Sequence, residues 1–570
     1  MNDSLHPGEQ HYPDGIAWNA AMPRMTLPDL LDASAIAFKD RIAFEFRDCA
    51  YSFPDFKSKA DTAASAFLRA GYGRDASIAL FLGNTPDHPV SFFGALKASA
   101  RVVHLSALDG EIALSHKLTD SGARILVTSN LATLLPMALK FLDRGLLDRL
   151  IVCTDTDWGD VGNATLPLPA DPRIVTWTAF AAGVEQPTAW PTIAVDDVAV
   201  LQYTGGTTGL PKGAMLSHGN LMAASHQFNL WGQPSRLARG DAGERVICVL
   251  PLFHIYALLV ILIRAIEVGD TISLHQRFDV EAVMRDIEVK RATVLPGVPT
   301  MWIAIANLPD IDSRDLSSLI VAGSGGAPLP VEIATVFQRK TGLKLKSGWG
   351  MTETCGAGTS HSVTGPDKSG SIGVAMPGIE MDIVSADDST KVLGDNETGE
   401  IRIRGPNVTR GYWKRPQESV TAFVGDWFLT GDIGYRDDDG YYFIVDRKKD
   451  MILSGGFNVY PQMIEQAIYT HPAVQEVIVI GIPDAYRGEA AKAFVTLKKD
   501  ASAFTVDHLR DFLSGKLGKH ELPTALEFVS ELPRTPVGKL SRHELRQHQP
   551  SVFPSQNQSQ DQKTATGGRS

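Results

Sequence analysis

The sequence predicts an α/β protein: a large N-terminal domain of parallel, helix-covered sheets with a β-rich lobe, followed by a small α+β C-terminal domain. Three observations predict it. As far as about residue 321, short apolar runs alternate with amphipathic helical stretches, the βαβα pattern of a parallel sheet covered by helices. From 378 to 404 the period changes to the alternation of half-exposed antiparallel strands, clearest in E-I-R-I-R at 400–404. After Asp446 the charged run R-K-K-D at 447–450 precedes a compact mixture of strands and helices.

Taken in order, 77–82 reads as a strand, 89–100 as a helix and 101–105 as a strand. A helix at 112–121 stops at Gly122, and strands follow at 124–128 and 150–153. Further buried strands are expected at 197–201, 245–250, 292–295 and 319–321. In the last domain, helices are expected at 461–470 and at 506–517, the second capped by Thr505, with strands at 475–482, 492–497 and 526–529. The expected boundaries are a polar tail at 1–24, the large domain at 25–448, the small domain at 449–548 and a disordered Gln/Ser/Thr-rich tail at 549–570.

Composition narrows the function classes. A chain of 570 residues with 44% hydrophobic and 21% charged residues can build a large core. The balance of 54 Lys and Arg against 65 Asp and Glu, net −11, argues against a nucleic-acid partner and offers no polybasic membrane patch. Cys49, Cys153, Cys248 and Cys355 have neither metal-ligand nor redox spacing, which fits reduced thiols in the cytoplasm. No signal-peptide pattern opens the chain. The most apolar stretch, 255–263, is interrupted by Arg264 well short of the roughly 18 to 20 residues that span a bilayer. It reads as a buried helix or a pocket wall. Peripheral membrane contact and a homodimer both stay open.

The run Y-T-G-G-T-T-G-L-P-K at 203–212 carries the most chemistry. Gly205, Gly206 and Gly209 let backbone N–H groups converge on one anion, Thr204, Thr207 and Thr208 add hydroxyl donors, and Lys212 adds a mobile charge. The spacing is not that of a Walker P-loop. A solvated hairpin tip would use the same residues, but the preceding apolar strand puts the loop at a strand end, where α/β sheets bind ligands, and a triphosphate or pyrophosphate cradle is the reading. Four further clusters gain meaning beside it. S-G-G-A-P-L-P at 324–330 either lies flat against a planar ring or makes a tight turn. Thr352 and Glu353 pair a hydroxyl with a carboxylate suited to a phosphate oxygen and Mg²⁺, although Thr-Glu also starts helices. Asp432, in T-G-D at 430–432, can accept from two ribose hydroxyls or simply make a turn, and Arg447 can add a donor. P-R-T-P-V-G-K at 533–539 presents Lys539, a cation able to neutralise a carboxylate approaching a phosphate.

With these motifs in one order, the chain resembles the adenylate-forming acyl-CoA synthetase superfamily, which also contains luciferases and peptide-synthetase adenylation domains, over about residues 28–546. The segments 203–216, P-L-F-H at 251–254 and D-R-K-K-D-M-I-L at 446–453 look most like bacterial long-chain fatty-acid CoA ligases. The resemblance implies ATP-dependent conversion of a carboxylic acid to acyl-AMP and then acyl-CoA, with ATP, Mg²⁺ and CoA as cofactors. It implies that Thr204 to Lys212 hold the β- and γ-phosphates, Thr352 the α-phosphate, and Glu353 with Thr208 the Mg²⁺. Gly325, Gly326 and Ala327 would line the adenine, Asp432 and Arg447 the ribose, and Lys539 would bridge carboxylate and phosphate. Lys449 would be the hinge of a mobile C-terminal domain that brings Gly455, Gly456 and Phe457 to CoA. His254 and Tyr256 match pocket-gating positions and 255–263 a wall of the acyl tunnel, though packed core explains them equally. Coumarate ligases and luciferases carry lysine and glutamine where this chain has Leu453 and Asn458. The expected acid is a medium- to long-chain fatty acid; the alternatives are dicarboxylic (pimelate-like) or aromatic acids, or transfer to a carrier protein. Arg264, one residue beyond the apolar run, would suit a dicarboxylate if it faced the tunnel, or else would snorkel to solvent.

Overall fold

The computed structural model describes residues 6–47, 49–159, 161–204, 210–240, 242–327, 329–363, 365, 367–454, 457–484, 486–534 and 540–547. The chain divides after Lys448 into two compact units.

Two large sheets form the body of the first unit. The seven-stranded sheet runs Ile174–Thr176, Arg149–Cys153, Ile125–Ser129, Ser77–Phe81, Arg101–His104, Val198–Thr204, Lys212–Ser217. All neighbours are parallel except the last pair, which is antiparallel. Ser77–Phe81 and Ile125–Ser129 are buried at every residue, as strands covered on both faces must be. Helices Asp87–Lys97, Glu111–Ser121 and Leu135–Asp143 make the crossovers, and Gly122, at φ 71°, closes the second of them.

The nine-stranded sheet runs Val374–Ala375, Thr359–Ser360, Leu345–Trp349, Val321–Ser324, Val294–Gly297, Arg245–Cys248, Thr271–Leu274, Ile42–Phe46, Cys49–Ser52. Its interior pairs are parallel and its edges antiparallel. Asn84 ties the two sheets together: its Nδ2 donates to the Leu250 carbonyl at 2.9 Å and its Oδ1 accepts from the Leu252 amide at 2.9 Å. A continuous apolar core joins them.

The β-rich lobe is antiparallel, with Glu380–Val384, Gly399–Arg404, Trp427–Arg436, Phe423–Val424 and Tyr442–Arg447. One expectation fails here: Gly399–Arg404 is not half-exposed but buried through Ile403. Its polar face is covered because partners distant in sequence reach it. Lys448 Nζ donates to Glu400 at 2.8 Å, and the Arg402 guanidinium pairs with Asp382 at 2.8 Å and lies over the Trp427 ring.

In the second unit, Phe457–Val459, Ile452–Ser454, Gly488–Leu497 and Val474–Asp484 form an antiparallel sheet, and Ala525–Phe528 joins it parallel to Gly488–Leu497. Helices Pro461–Tyr469 and Val506–Leu513 bury Ile464, Ile468, Leu509 and Leu513 in a core shared with Val477, Val479 and Val495. Thr505 caps the second helix by accepting from the His508 amide. That helix ends four residues earlier than expected, at Leu513, where Ser514 turns to extended backbone and Gly515 follows at φ 79°. Among the described residues no helix is long and apolar enough to cross a membrane, and Cys49, Cys153, Cys248 and Cys355 are free thiols.

Candidate active site

Thr204 and Lys212 face each other as the last cross-strand pair of an antiparallel pair of strands, and Thr204 stands at a strand end. Gly205, Gly206, Thr207, Thr208 and Gly209 lie outside the described residues. The root of the hairpin is anchored on both sides. Tyr203 donates its hydroxyl to Asp120 at 2.8 Å, and the Pro211 carbonyl accepts from His116 Nε2 at 2.9 Å. Lys212 Nζ sits 5.4 Å from the centre of the Tyr412 ring.

Thr352 and Glu353 emerge from the C-terminal end of strand Leu345–Trp349 in a single 3₁₀ turn, Thr352–Thr354. The turn before it needs glycine: a Cβ on Gly350 would fall 2.2 Å from the Gly356 carbonyl oxygen. Thr352 is half-buried and Glu353 buried. Glu353 Oε1 accepts from the Tyr412 hydroxyl at 2.8 Å. Burial pushes the Glu353 carboxyl above its ordinary range, while the Tyr412 hydroxyl, the residue's own amide and the Arg447 charge pull the other way. Burial also raises the Tyr412 phenol, and the adjacent carboxylate adds to it.

Segment 409–413, which sequence reasoning did not single out, connects these two elements. The Met215 amide donates to the Gly411 carbonyl at 3.0 Å and the Trp413 amide to the Gly213 carbonyl at 2.8 Å, so the strap lies along the strand that Lys212 begins. The Thr409 amide donates to the Glu353 carbonyl at 2.7 Å. Gly411, at φ 129°, has no room for a side chain beside Ser419. The signal in the sequence was a glycine followed by two aromatics, Gly411-Tyr412-Trp413, with nothing local to show what the aromatics touch.

Asp432 and Arg447 are cross-strand partners in the lobe, and Arg447 Nε lies 2.5 Å from Asp432 Oδ1. Trp349 Nε1 donates to Asp432 Oδ2 at 2.7 Å. Because Trp349 ends the strand that delivers Thr352 and Glu353, one indole fixes the lobe's carboxylate relative to theirs. Asp432 is buried.

Gly325, Gly326 and Ala327 follow strand Val321–Ser324, the parallel neighbour of Leu345–Trp349. A Cβ on Gly325 would lie 2.8 Å from Tyr256 Cζ, so the planar ring against this backbone is the chain's own. Gly326 takes φ 77°, and the Ser324 hydroxyl is buried without a hydrogen-bond partner among the described residues, an acceptor and donor for a polar ligand atom. His254 Nδ1 accepts from the Tyr256 amide at 3.2 Å and caps the turn Ile255–Ala257. Leu258–Ile263 then winds as a π-helix whose residues other than Val260 are fully buried. Arg264 does not snorkel to solvent, and its charge is not spare: the side chain is mostly buried and donates to Asp270 Oδ2 at 2.9 Å and to the Val260 carbonyl at 3.0 Å, with Asp270 fully buried. A buried carboxylate holds it there.

In the second unit Phe457 is 58% exposed and stacks on His520 at 4.7 Å between ring centres. Leu453 and Asn458 are cross-strand partners, and Lys449 is that unit's first residue. Gly455, Gly456 and Lys539 lie outside the described residues. Among the described residues no three His, Cys, Asp or Glu side chains converge on a metal site. Among the described residues the Glu353 carboxylate fits a Mg²⁺ that takes most of its other ligands from phosphate oxygens and water, the usual way that ion is held.

The chain matches the family model of AMP-binding enzymes over residues 31–413 and that of the AMP-binding enzyme C-terminal domain over residues 463–539. It is 35% identical over 555 residues to a long-chain-fatty-acid–CoA ligase of Bacillus subtilis (strain 168), covering 95% of this chain and 98% of that one. Its fold is similar to ATP-bound MatB from Rhodopseudomonas palustris, with a TM-score of 0.81 at 28% identity over 92% of this chain and 99% of that one. It is also similar to the O-succinylbenzoate coenzyme A synthetase of Bacillus subtilis in complex with ATP and magnesium ion, with a TM-score of 0.75 at 26% identity over 91% and 99% of the two chains.

Proposed function

The chain belongs to the AMP-binding enzyme family, and from that premise we propose that it is an AMP-forming acyl-CoA synthetase whose acid is a medium- to long-chain fatty acid. The observation that carries the reading is the mutual clamping of a phosphate hairpin, a buried carboxylate and a second acceptor carboxylate through Tyr412 and Trp349. Three groups that must meet one nucleotide are held at fixed separations before it arrives, which lowers the ordering cost of binding.

In the first step a carboxylate oxygen bonds to the α-phosphorus of ATP, the bond to the β-phosphate bridging oxygen breaks, and pyrophosphate leaves with that electron pair. Thr204 to Lys212, including Gly205, Gly206, Thr207, Thr208 and Gly209, hold the departing phosphates, and Thr352 donates to the α-phosphate. Asp432 accepts from the ribose hydroxyls, with Arg447 paired to it and aiming it. Gly325, Gly326 and Ala327 take the adenine edge. Glu353, with Thr208, holds Mg²⁺, which when bound neutralises phosphate charge. Lys539 brings the two anions together. In the second step the CoA sulfur attacks the acyl carbon and AMP leaves; Lys449 is the hinge that exchanges Lys539 for Gly455, Gly456 and Phe457 at the reacting centre. Supporting the acid class are the apolar run at 258–263 behind His254 and Tyr256 and the long-chain ligase at 35% identity. The free thiols suit a cytoplasmic setting.

The test is CoA-thioester formation from MgATP across octanoate, palmitate, oleate, benzoate and pimelate, with Lys539→Ala assayed on each half-reaction. Turnover of palmitate or oleate is expected. Lys539→Ala is expected to slow adenylation about 100- to 1000-fold while leaving thiolation of supplied acyl-AMP intact. Equal loss in both half-reactions would refute the exchange of sites, and turnover confined to benzoate or pimelate would refute the acid class.

A further inference from the structure

Tyr412 takes no part in the roles assigned above, yet it touches two of the groups that carry them. We propose that Tyr412 is a positioning residue that sets the Glu353 carboxylate against the phosphate hairpin, so that the metal-side oxygen of Glu353 is pre-aimed before MgATP binds. The inference rests on the reading of Glu353 as the metal-side carboxylate.

The geometry supports it at each joint. The hydroxyl is 2.8 Å from Glu353 Oε1, a hydrogen bond to an anionic acceptor and therefore among the stronger kind. Engaging one carboxylate oxygen restrains a side chain that would otherwise sample many rotamers, and leaves the second oxygen for the metal. The ring itself is placed from two sides: the Tyr412 amide donates to Ser419 Oγ at 2.9 Å, and Lys212 Nζ lies over the ring face. Tyr412 also makes a backbone bridge with Ala214, two residues beyond Lys212. The same strap bonds the backbone of Glu353 through Thr409 and the backbone of the hairpin through Gly411 and Trp413. Phosphate donor and metal carboxylate therefore share one rigid reference, and Tyr412 is the point where it reaches the carboxylate.

The experiment compares the parent enzyme with Tyr412→Phe, Ser419→Ala and Glu353→Gln. Mn²⁺ binding to the enzyme–ATP complex is read by electron paramagnetic resonance, and the Mg²⁺ dependence of adenylation is read at saturating ATP. Tyr412→Phe keeps the ring under Lys212 and removes only the hydroxyl. It is expected to weaken Mn²⁺ binding about 10-fold, the worth of one hydrogen bond to a charged group, and to raise the Mg²⁺ requirement in step, with metal-free ATP binding unchanged. Ser419→Ala, which loosens the Tyr412 amide without touching Glu353, is expected to shift Mn²⁺ binding the same way by a smaller factor. Parental Mn²⁺ affinity in both Tyr412→Phe and Ser419→Ala, beside its loss in Glu353→Gln, would overturn the positioning role and leave the metal assignment standing. Parental affinity in Glu353→Gln would overturn the assignment itself.

Discussion

The proposed nucleotide side and the proposed acyl side of the first unit are built on opposite principles. Around Glu353 and Asp432 each charge is met by a directional donor from another element: Tyr412, Trp349 and Arg447. Along Leu258–Ile263 the side chains are aliphatic, and the charge of Arg264, which follows, is met by Asp270. Directional contacts tolerate little change and specify one ligand geometry. Aliphatic packing tolerates much and specifies volume. On the proposed assignment, the chemistry of the first step is written in single residues, and the choice of acid in a summed shape.

The contrast breaks first, and hardest, at Asp432. Asp432→Ala removes the proposed acceptor for two ribose hydroxyls and takes their carboxylate partner from the Trp349 N–H and the Arg447 guanidinium. Two hydrogen bonds to a charged group are worth roughly 3 to 6 kcal/mol together, so ATP affinity and adenylation are expected to fall at least about 100-fold. Calorimetric titration with ATP checks it, and a loss under tenfold would mean that Asp432 serves the lobe rather than the ligand. Next in size is Arg264→Met. Removing the guanidinium takes the hydrogen-bonded cation from buried Asp270, which keeps the Glu244 amide and the more distant Arg236 and Arg41 charges, so the cost is at most about 3 kcal/mol and appears as a lower melting temperature for the protein with every acid alike. The Arg264→Met, Asp270→Asn double variant is expected to recover most of that stability, and a selective loss on pimelate would restore Arg264 as a substrate contact. Third is Gly325→Ala, whose Cβ meets the Tyr256 ring at 2.8 Å. Overpacking of this kind costs about 1 to 3 kcal/mol, and Tyr256→Ala in the same chain is expected to relieve it. Additive losses would show that the ring yields without strain.

How far each side could be read in advance follows the same division. Ser77–Phe81, the stop at Gly122 and the Thr505 cap were legible because their signals are local: an unbroken apolar run, a left-handed glycine, a hydroxyl three residues before the amide it caps. Val321–Ser324 was expected two residues early because its sequence, V-A-G-S, carries little apolar signal past the first residue, and only its parallel neighbours make it a strand. The alternation in Gly399–Arg404 was real, but exposure was the wrong inference, since Lys448, Asp382 and Trp427 arrive from elsewhere to cover Glu400 and Arg402. Glu353 and Asp432 stood out as residue types within motifs; their partners Tyr412 and Trp349 did not, because each sits 59 or 83 residues away from the carboxylate it serves. A site's charges are visible in a sequence before the contacts that aim them.

The smallest effect falls on the acyl side and is the sharpest test of what that side is. Val260 is the one member of Leu258–Ile263 that is not fully buried, so it is the residue through which this segment would meet an acyl chain. If the π-helix walls a tunnel, Val260→Phe takes volume from the chain and moves the optimum toward shorter acids, while Val260→Ala moves it toward longer ones. The change is expected to be about 1 kcal/mol for each methylene of chain whose burial is lost or gained, read as the ratio of kcat/KM for palmitate to that for octanoate. If the segment is only core, both variants lower the melting temperature and leave that ratio where it was. The ratio separates the two cases cleanly because stability losses act on all acids equally, whereas a wall contact acts only on the acid long enough to reach it.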